Sequence, residues 1–145
     1  MNATIEKFGY PATLVAEYRH WLVLLRPAQP TLGSLVLAAR GDAEAFSDLP
    51  GPAFAEMHAV IGDIEAVLRE AVDYARINYM MLMMVDPHVH FHVIPRYNGA
   101  RAAAGLSVED RGWPKLPALN EAVELDARQT EGLAEWLRSR WPRAR

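Results

Sequence analysis

The chain of 145 residues contains no cysteine. Disulfide frameworks, thiolate nucleophiles and thiolate metal sites are therefore excluded, and any chemistry must come from histidine, carboxylates, hydroxyls or other bases. Long hydrophobic runs are also missing. No window approaches the ~20 apolar residues that a membrane span requires, so no membrane is expected as a partner. The N-terminus MNATIEKFGYP has no apolar run behind a basic start, which gives a cytoplasmic protein as the expectation. A strong charge imbalance is absent too: the formal net charge is -3 and the sequence pI about 5.9, so no basic field points to a nucleic acid. Neither GxGxxG nor GxxxxGK occurs, which removes the two common backbone cradles for phosphate. No internal repeat or low-complexity tract is present.

Hydrophobic residues make up 51% of the chain, enough for one core in one domain covering 1–145. The run LVAEYRHWLVLLR from Leu14 predicts strand structure with a turn near Glu17 to His20, ended by Pro27. PAQPTLG is a loop rich in breakers, and Ser34 to Ala39 reads as a buried strand. Between Pro52 and Tyr74, Phe54, Met57, Ile61, Ile64, Leu68 and Ala71 recur at steps of three and four and predict one long helix. The apolar run Ile77 to Val85, the breaker Asp86-Pro87 and then HVHFHVIPRY predict two strands in a hairpin. Residues 98–125 read as loop or tail. A terminal helix from about Asp126 is expected to pack Leu133, Trp136, Leu137 and Trp141. Met80, Met81, Met83 and Met84 read as core or subunit packing, and His58 as a residue at the border of its helix stripe. The late arginines, Arg138, Arg140, Arg143 and Arg145, complement a helix dipole.

Alternation in a strand puts His88, His90 and His92 on one face and Val89, Phe91 and Val93 on the other. Three imidazoles in a row have no packing rationale, because each buried ring needs hydrogen-bond partners. Neutral imidazole is a nucleophile, a base and a metal ligand near neutral pH. One reading makes one histidine attack an electrophile such as phosphorus while its neighbours orient it. The other makes them ligands of zinc or another transition metal, with His20, Asp42, Asp48 or Asp86 as the further ligand.

The run His88-Val89-His90-Phe91-His92-Val93-Ile94 resembles the His-apolar-His-apolar-His-apolar-apolar motif of the histidine-triad (HIT) superfamily. Pro95-Arg96-Tyr97 is similar to the bacterial diadenosine tetraphosphate hydrolase and fragile-histidine-triad-like branch. The resemblance covers about residues 14–97. It implies an α+β fold with an antiparallel sheet of about five strands, one long helix and a C-terminal helix. It also implies pairing with a twin subunit and a nucleotide substrate, with no cofactor or metal. By position, His90 would attack the α-phosphorus of that nucleotide and form a nucleotidyl-histidine. His88 would hold the hydrogen-bond arrangement, and His92 would contact the phosphate or the bridging oxygen.

Two departures stand beside the match. Many superfamily members carry Gly-His in the upstream loop, where this chain has Gly33-Ser34; Ser34 can offer one hydrogen bond but no titratable proton. The polar, glycine-containing loop expected before the motif is replaced by LMMV-Asp86-Pro87. Arg26, Ser34 and Asn78 are the candidates for binding the substrate. The expected function is hydrolysis or transfer at a phosphoanhydride or phosphoramidate, with dinucleoside polyphosphates foremost. The alternatives are a nucleotide-binding module without turnover and a histidine-based metal-binding domain.

Overall fold

The computed structural model describes residues 1–142. Arg143 and Arg145 of the basic terminus lie outside the described residues. The centre of the fold is an antiparallel sheet of five strands, β1 (Leu14–Glu17), β2 (Trp21–Leu25), β4 (Leu35–Ala39), β5 (Arg76–Met80) and β6 (His90–Arg96), in the order β1-β2-β4-β6-β5. The predicted turn near Glu17 to His20 separates β1 from β2. The long helix is α2 (Gly51–Val72), and the C-terminal helix is α3 (Ala127–Arg138). The α+β architecture expected from the sequence is the one observed.

Strand alternation explains the layering. Trp21, Val23, Leu25, Leu35, Leu37, Ala39, Phe91 and Val93 point to one face and form the main core with α2 and α3. Leu22, Leu24, Val36 and Ala38 point to the opposite face and form a smaller cluster with Ile5. That second face is covered by α1 (Ala3–Lys7), which the sequence reading did not anticipate. Asn2 anchors it twice over: its Oδ1 caps the helix by accepting from Ile5 N at 2.9 Å, and its Nδ2 donates to Ala39 O and Gly41 O at 3.1 and 2.8 Å. A five-residue helix is too short to persist alone. Here the sheet holds it.

The face of α2 is rotated relative to the predicted stripe. Ala53, Val60, Ile64, Val67, Leu68 and Val72 are buried, whereas Phe54 is 41% exposed and rests on Phe46. Large aromatic residues dominate a periodicity count, but Ala53 and Val60 fit closer to the sheet. The two strands of the predicted hairpin do pair antiparallel, but the first is shorter than expected. β5 stops at Met80, and residues 81–89 form an irregular connection in which Met83 has φ +52°. Met81 and Met83 pack on the core, while Met84 and Val85 are 85% and 81% exposed. The apolar run is thus half strand and half an irregular loop that alternates between core contact and solvent.

Residues 98–125 are not simply loop or tail. They contain the hairpin β7 (Ala100–Ala103) and β8 (Leu106–Glu109), and β9 (Val123–Glu124), which pairs with β3 (Ala28–Gln29). Ala104 and Gly105 both have positive φ, the backbone of a two-residue primed turn. Asp126 and Gln129 form a capping box that starts α3 where expected. Trp136 lies on α3, but Trp141 falls beyond its end and donates from Nε1 to Tyr18 Oη at 2.8 Å.

Gly33 sits in the loop that delivers β4 to the sheet, with φ +88°. A Cβ there would stand 3.0 Å from Val72 Cγ2 and 3.3 Å from Leu68 Cδ2. Gly33→Ala is therefore expected to cost about 2 kcal/mol, from the left-handed backbone and the crowding of α2 together. Urea denaturation reads this directly, and a loss below a few tenths would show that the loop yields without strain.

Candidate active site

β6 carries two of the three motif histidines. It begins at His90, so His88 precedes the strand and is placed by a different contact. Its Nδ1 lies 2.9 Å from Thr4 Oγ1, and its backbone N–H donates to the same oxygen at 3.3 Å. Thr4 belongs to α1, so the N-terminal helix fixes the first histidine. His90 and His92 are 2% and 7% exposed, with ring centroids 5.2 Å apart and planes near perpendicular. Phe8, just after α1, packs on both, with centroids 5.6 Å from His90 and 5.8 Å from His92.

Hydrogen-bond partners assign the two ring tautomers. His90 Nδ1 lies 2.7 Å from the backbone oxygen of His88. A carbonyl oxygen only accepts, so Nδ1 carries a proton, and in the neutral ring Nε2 keeps its lone pair. His92 is the reverse: Arg26 Nε donates to its Nδ1 at 3.3 Å, so in the neutral ring the proton is on Nε2. In their neutral forms the adjacent imidazoles thus present one lone-pair nitrogen and one N–H donor.

Burial foremost, then the Arg26 cation and then His90, pushes the His92 pKa down to about 4, with Asp86 acting the other way. Burial also holds Arg26 below its ordinary value. In the unfolded chain the His92 ring binds its proton near pH 6.5, so between the two values the unfolded state holds more protons than the folded one. The contribution is full above about pH 6.5 and is lost as pH falls toward 4. On the order of 2 kcal/mol of stability should disappear over this range, allowing for partial access of solvent. Urea titrations of the protein and of His92→Asn should diverge by that amount; parallel curves would mean that folding leaves the His92 pKa at its unfolded value.

The other sequence-derived candidates separate. Arg26 joins the triad, bonded to His92 and, through Nη1, to Ala28 O at 2.6 Å. A cavity of about 220 Å³ lies beside it, lined by Lys7, Phe8, Arg26, Pro27 and Ala28. Ser34 is fully buried, and its hydroxyl donates to Thr31 O at 2.8 Å and pairs with Thr31 Oγ1 at 2.9 Å. Its side-chain bonds stay within its own loop; its backbone oxygen accepts from Arg26 N. Asn78 Oδ1 accepts from Arg96 Nη1 at 2.9 Å and lines a groove of about 800 Å³ between β5 and residues 113–117. That larger groove contains no motif histidine.

Arg96 and Tyr97, which follow the motif, are occupied structurally. Arg96 is paired with Asp110, and Tyr97 Oη accepts from Leu32 N and donates to Val108 O. The proposed extra metal ligands do not converge on the histidines. His20, Asp42 and Asp48 line a separate cavity, and Asp86 pairs with Lys7. Among the described residues no group of three His, Asp or Glu is arranged to hold a metal ion. Sequence reasoning missed Thr4 and Phe8, because nothing local marks a short N-terminal helix as a neighbour of a motif more than eighty residues later.

No family model and no curated protein matches the sequence. Solved structures do match in architecture. A histidine triad protein from Bradyrhizobium japonicum is 19% identical, with TM-score 0.73 over 98% of this chain and 97% of its own. A histidine triad (HIT) protein from Sinorhizobium meliloti is 18% identical, with TM-score 0.73 over 97% and 95%. A histidine triad protein from Marinobacter aquaeolei is 19% identical, with TM-score 0.72 over 94% and 93%. The five-stranded antiparallel sheet, its long helix and its terminal helix therefore constitute the fold of the histidine-triad proteins.

Proposed function

We propose that the protein is a histidine-triad nucleotide hydrolase or transferase that forms a nucleotidyl-histidine at His90. The observation that carries this reading is the bond from His90 Nδ1–H to the His88 carbonyl oxygen, which in the neutral ring leaves the lone pair on Nε2. As Nε2 bonds to phosphorus, the ring gains positive charge, and the carbonyl oxygen at Nδ1 stabilises it. His92 Nε2–H is a donor for a phosphoryl or leaving oxygen. The cavity beside Phe8 and Arg26 is the proposed place for the nucleoside, and dinucleoside polyphosphates are the proposed substrates.

The test incubates the protein with diadenosine tetraphosphate, an adenosine phosphoramidate and a nucleotide sugar, with and without orthophosphate. Release of a mononucleotide together with an acid-labile adduct mapped to His90 is the expected result. Turnover without that adduct would overturn the covalent route.

The burial of His90 and the engagement of Ser34 elsewhere support a second reading, a nucleotide-binding module without turnover. Binding of adenosine monophosphate with no cleavage of any substrate would establish it. We also propose a cytoplasmic homodimer. β5 is an edge strand paired only with β6, and exposed Leu82, Met84 and Val85 follow it. Sedimentation velocity should give a dimer that Met84→Glu/Val85→Glu weakens; an unchanged dimer would place the interface elsewhere. No helix among the described residues is long and apolar enough to cross a membrane.

A further inference from the structure

We propose that Arg26 fixes His92 as a neutral Nε2–H donor and thereby restricts the site to substrates whose leaving group departs as an anion, phosphoanhydrides rather than phosphoramidates. This rests on the reading of His90 as nucleophile. The guanidinium is always charged and has donors but no acceptor, so its Nε–H can meet His92 Nδ1 only where that nitrogen holds a lone pair. The remaining surroundings of His92 do not compete for that nitrogen. Val36 on β4 and Met80 on β5 flank it in register, and Phe8 packs on the ring. The charged or titratable groups near it are Arg26, His90 and Asp86, and Asp86 is engaged by Lys7 of α1 at 2.6 Å. The low pKa of His92 agrees with this arrangement.

The consequence for chemistry follows from the proton balance. When His90 Nε2 forms its bond to the α-phosphorus, the bond from phosphorus to the leaving atom breaks, and its electron pair goes with that atom. A polyphosphate leaving oxygen is a weak base, with a conjugate-acid pKa of about 6, and it departs as an anion near neutral pH. It needs a hydrogen bond and nearby positive charge, which His92 Nε2–H and Arg26 supply. An amine leaving nitrogen has to take up a proton as it departs. His92 holds one ring proton, and giving it up would leave an imidazolate. The ring therefore donates a hydrogen bond and withholds the proton, so a phosphoramidate lacks the acid it requires.

The experiment combines two readouts on the full chain. Long-range proton–nitrogen NMR spectra of the histidine rings should show His92 as the Nε2–H tautomer, unchanged from neutral pH down to about pH 5. In Arg26→Met its titration should move up by about one unit or more. In parallel, kcat/KM is measured near pH 6 for diadenosine tetraphosphate and adenosine phosphoramidate. The native protein should favour the anhydride, and Arg26→Met should shift the ratio toward the phosphoramidate by about tenfold. Arg26→Lys, which keeps a cation, should fall between the two and supplies the comparison should the methionine variant fail to fold.

A His92 ring protonated on Nδ1 in the native protein would overturn the proposal. So would a substrate ratio that Arg26 does not change. Equal use of both substrates through a His90 adduct would overturn this inference alone. Absence of turnover on either substrate, with the tautomer intact, would instead overturn the nucleophile reading and the substrate restriction with it.

Discussion

Replacing His90 by alanine is expected to lower kcat on the best substrate by about 10⁴-fold or more and to abolish the acid-labile nucleotidyl adduct. The size follows from what is removed. Nε2 of this ring is the bare nitrogen that the His88 carbonyl assigns, and His92 carries a proton at the corresponding position. The folding cost should be small by comparison, on the order of 1–2 kcal/mol for an unpaired buried carbonyl and a partly filled gap. Far-UV circular dichroism and thermal denaturation separate the two effects. His90→Gly with added imidazole is a sharper check, because a free ring in the vacated space should restore part of the turnover. Activity within about tenfold of the native protein in either variant without added imidazole would remove His90 from the chemistry.

The second large effect is expected at Asp110, outside the triad. Asp110 and Arg96 form a pair whose side chains are 1% and 4% exposed, with Oδ2 accepting from Arg96 Nε at 2.8 Å and Oδ1 from Nη2 at 3.1 Å. The same carboxylate accepts from the backbone N–H of Tyr97 and Gly112. Asp110→Ala would leave the guanidinium buried, bonded to the Asn78 side chain but facing no carboxylate there, and would orphan two amides. Breaking one half of a buried pair in this way costs about 3–5 kcal/mol. For a chain of this size that corresponds to a drop in Tm of roughly 10 °C. The double substitution Arg96→Met/Asp110→Leu should recover most of the loss, since an apolar pair of similar volume leaves no uncompensated charge. Equal instability of the single and double variants would show that the amide bonds dominate, and a cost under about 1 kcal/mol would show that solvent reaches Arg96 once the carboxylate is gone.

Arg96 illustrates what a motif can and cannot convey. Its place after Ile94 and Pro95 suggested a branch of the superfamily, yet its guanidinium is spent on Asp110 and Asn78. Asp110 lies in a stretch read as tail, because alanines and prolines hid the β7–β8 hairpin that returns the chain to β6. Phe54 misled in the opposite sense. Its size drew the helix stripe toward itself, while the smaller Ala53 is the residue that meets Trp21, whose Nε1 donates to Ala53 O at 2.8 Å.

Sequence by itself determined the strands around the breaker-rich loop, the long helix and the alternating histidines, whose resemblance to a known motif implied the α+β class. These depend on period and on neighbours within a few residues, and period survives any arrangement of the remaining chain. It also delivered Arg26 as a candidate. Tertiary structure alone decided the protonation pattern. That His90 is bare at Nε2 while His92 is not depends on a carbonyl two residues back and on a guanidinium sixty-six residues away. The cover of Thr4 and Phe8 over the triad likewise arises from α1 lying across the sheet. Hydrogen-bond direction is a property of atoms brought together by folding, and no spacing along a chain encodes which ring nitrogen faces a donor and which an acceptor.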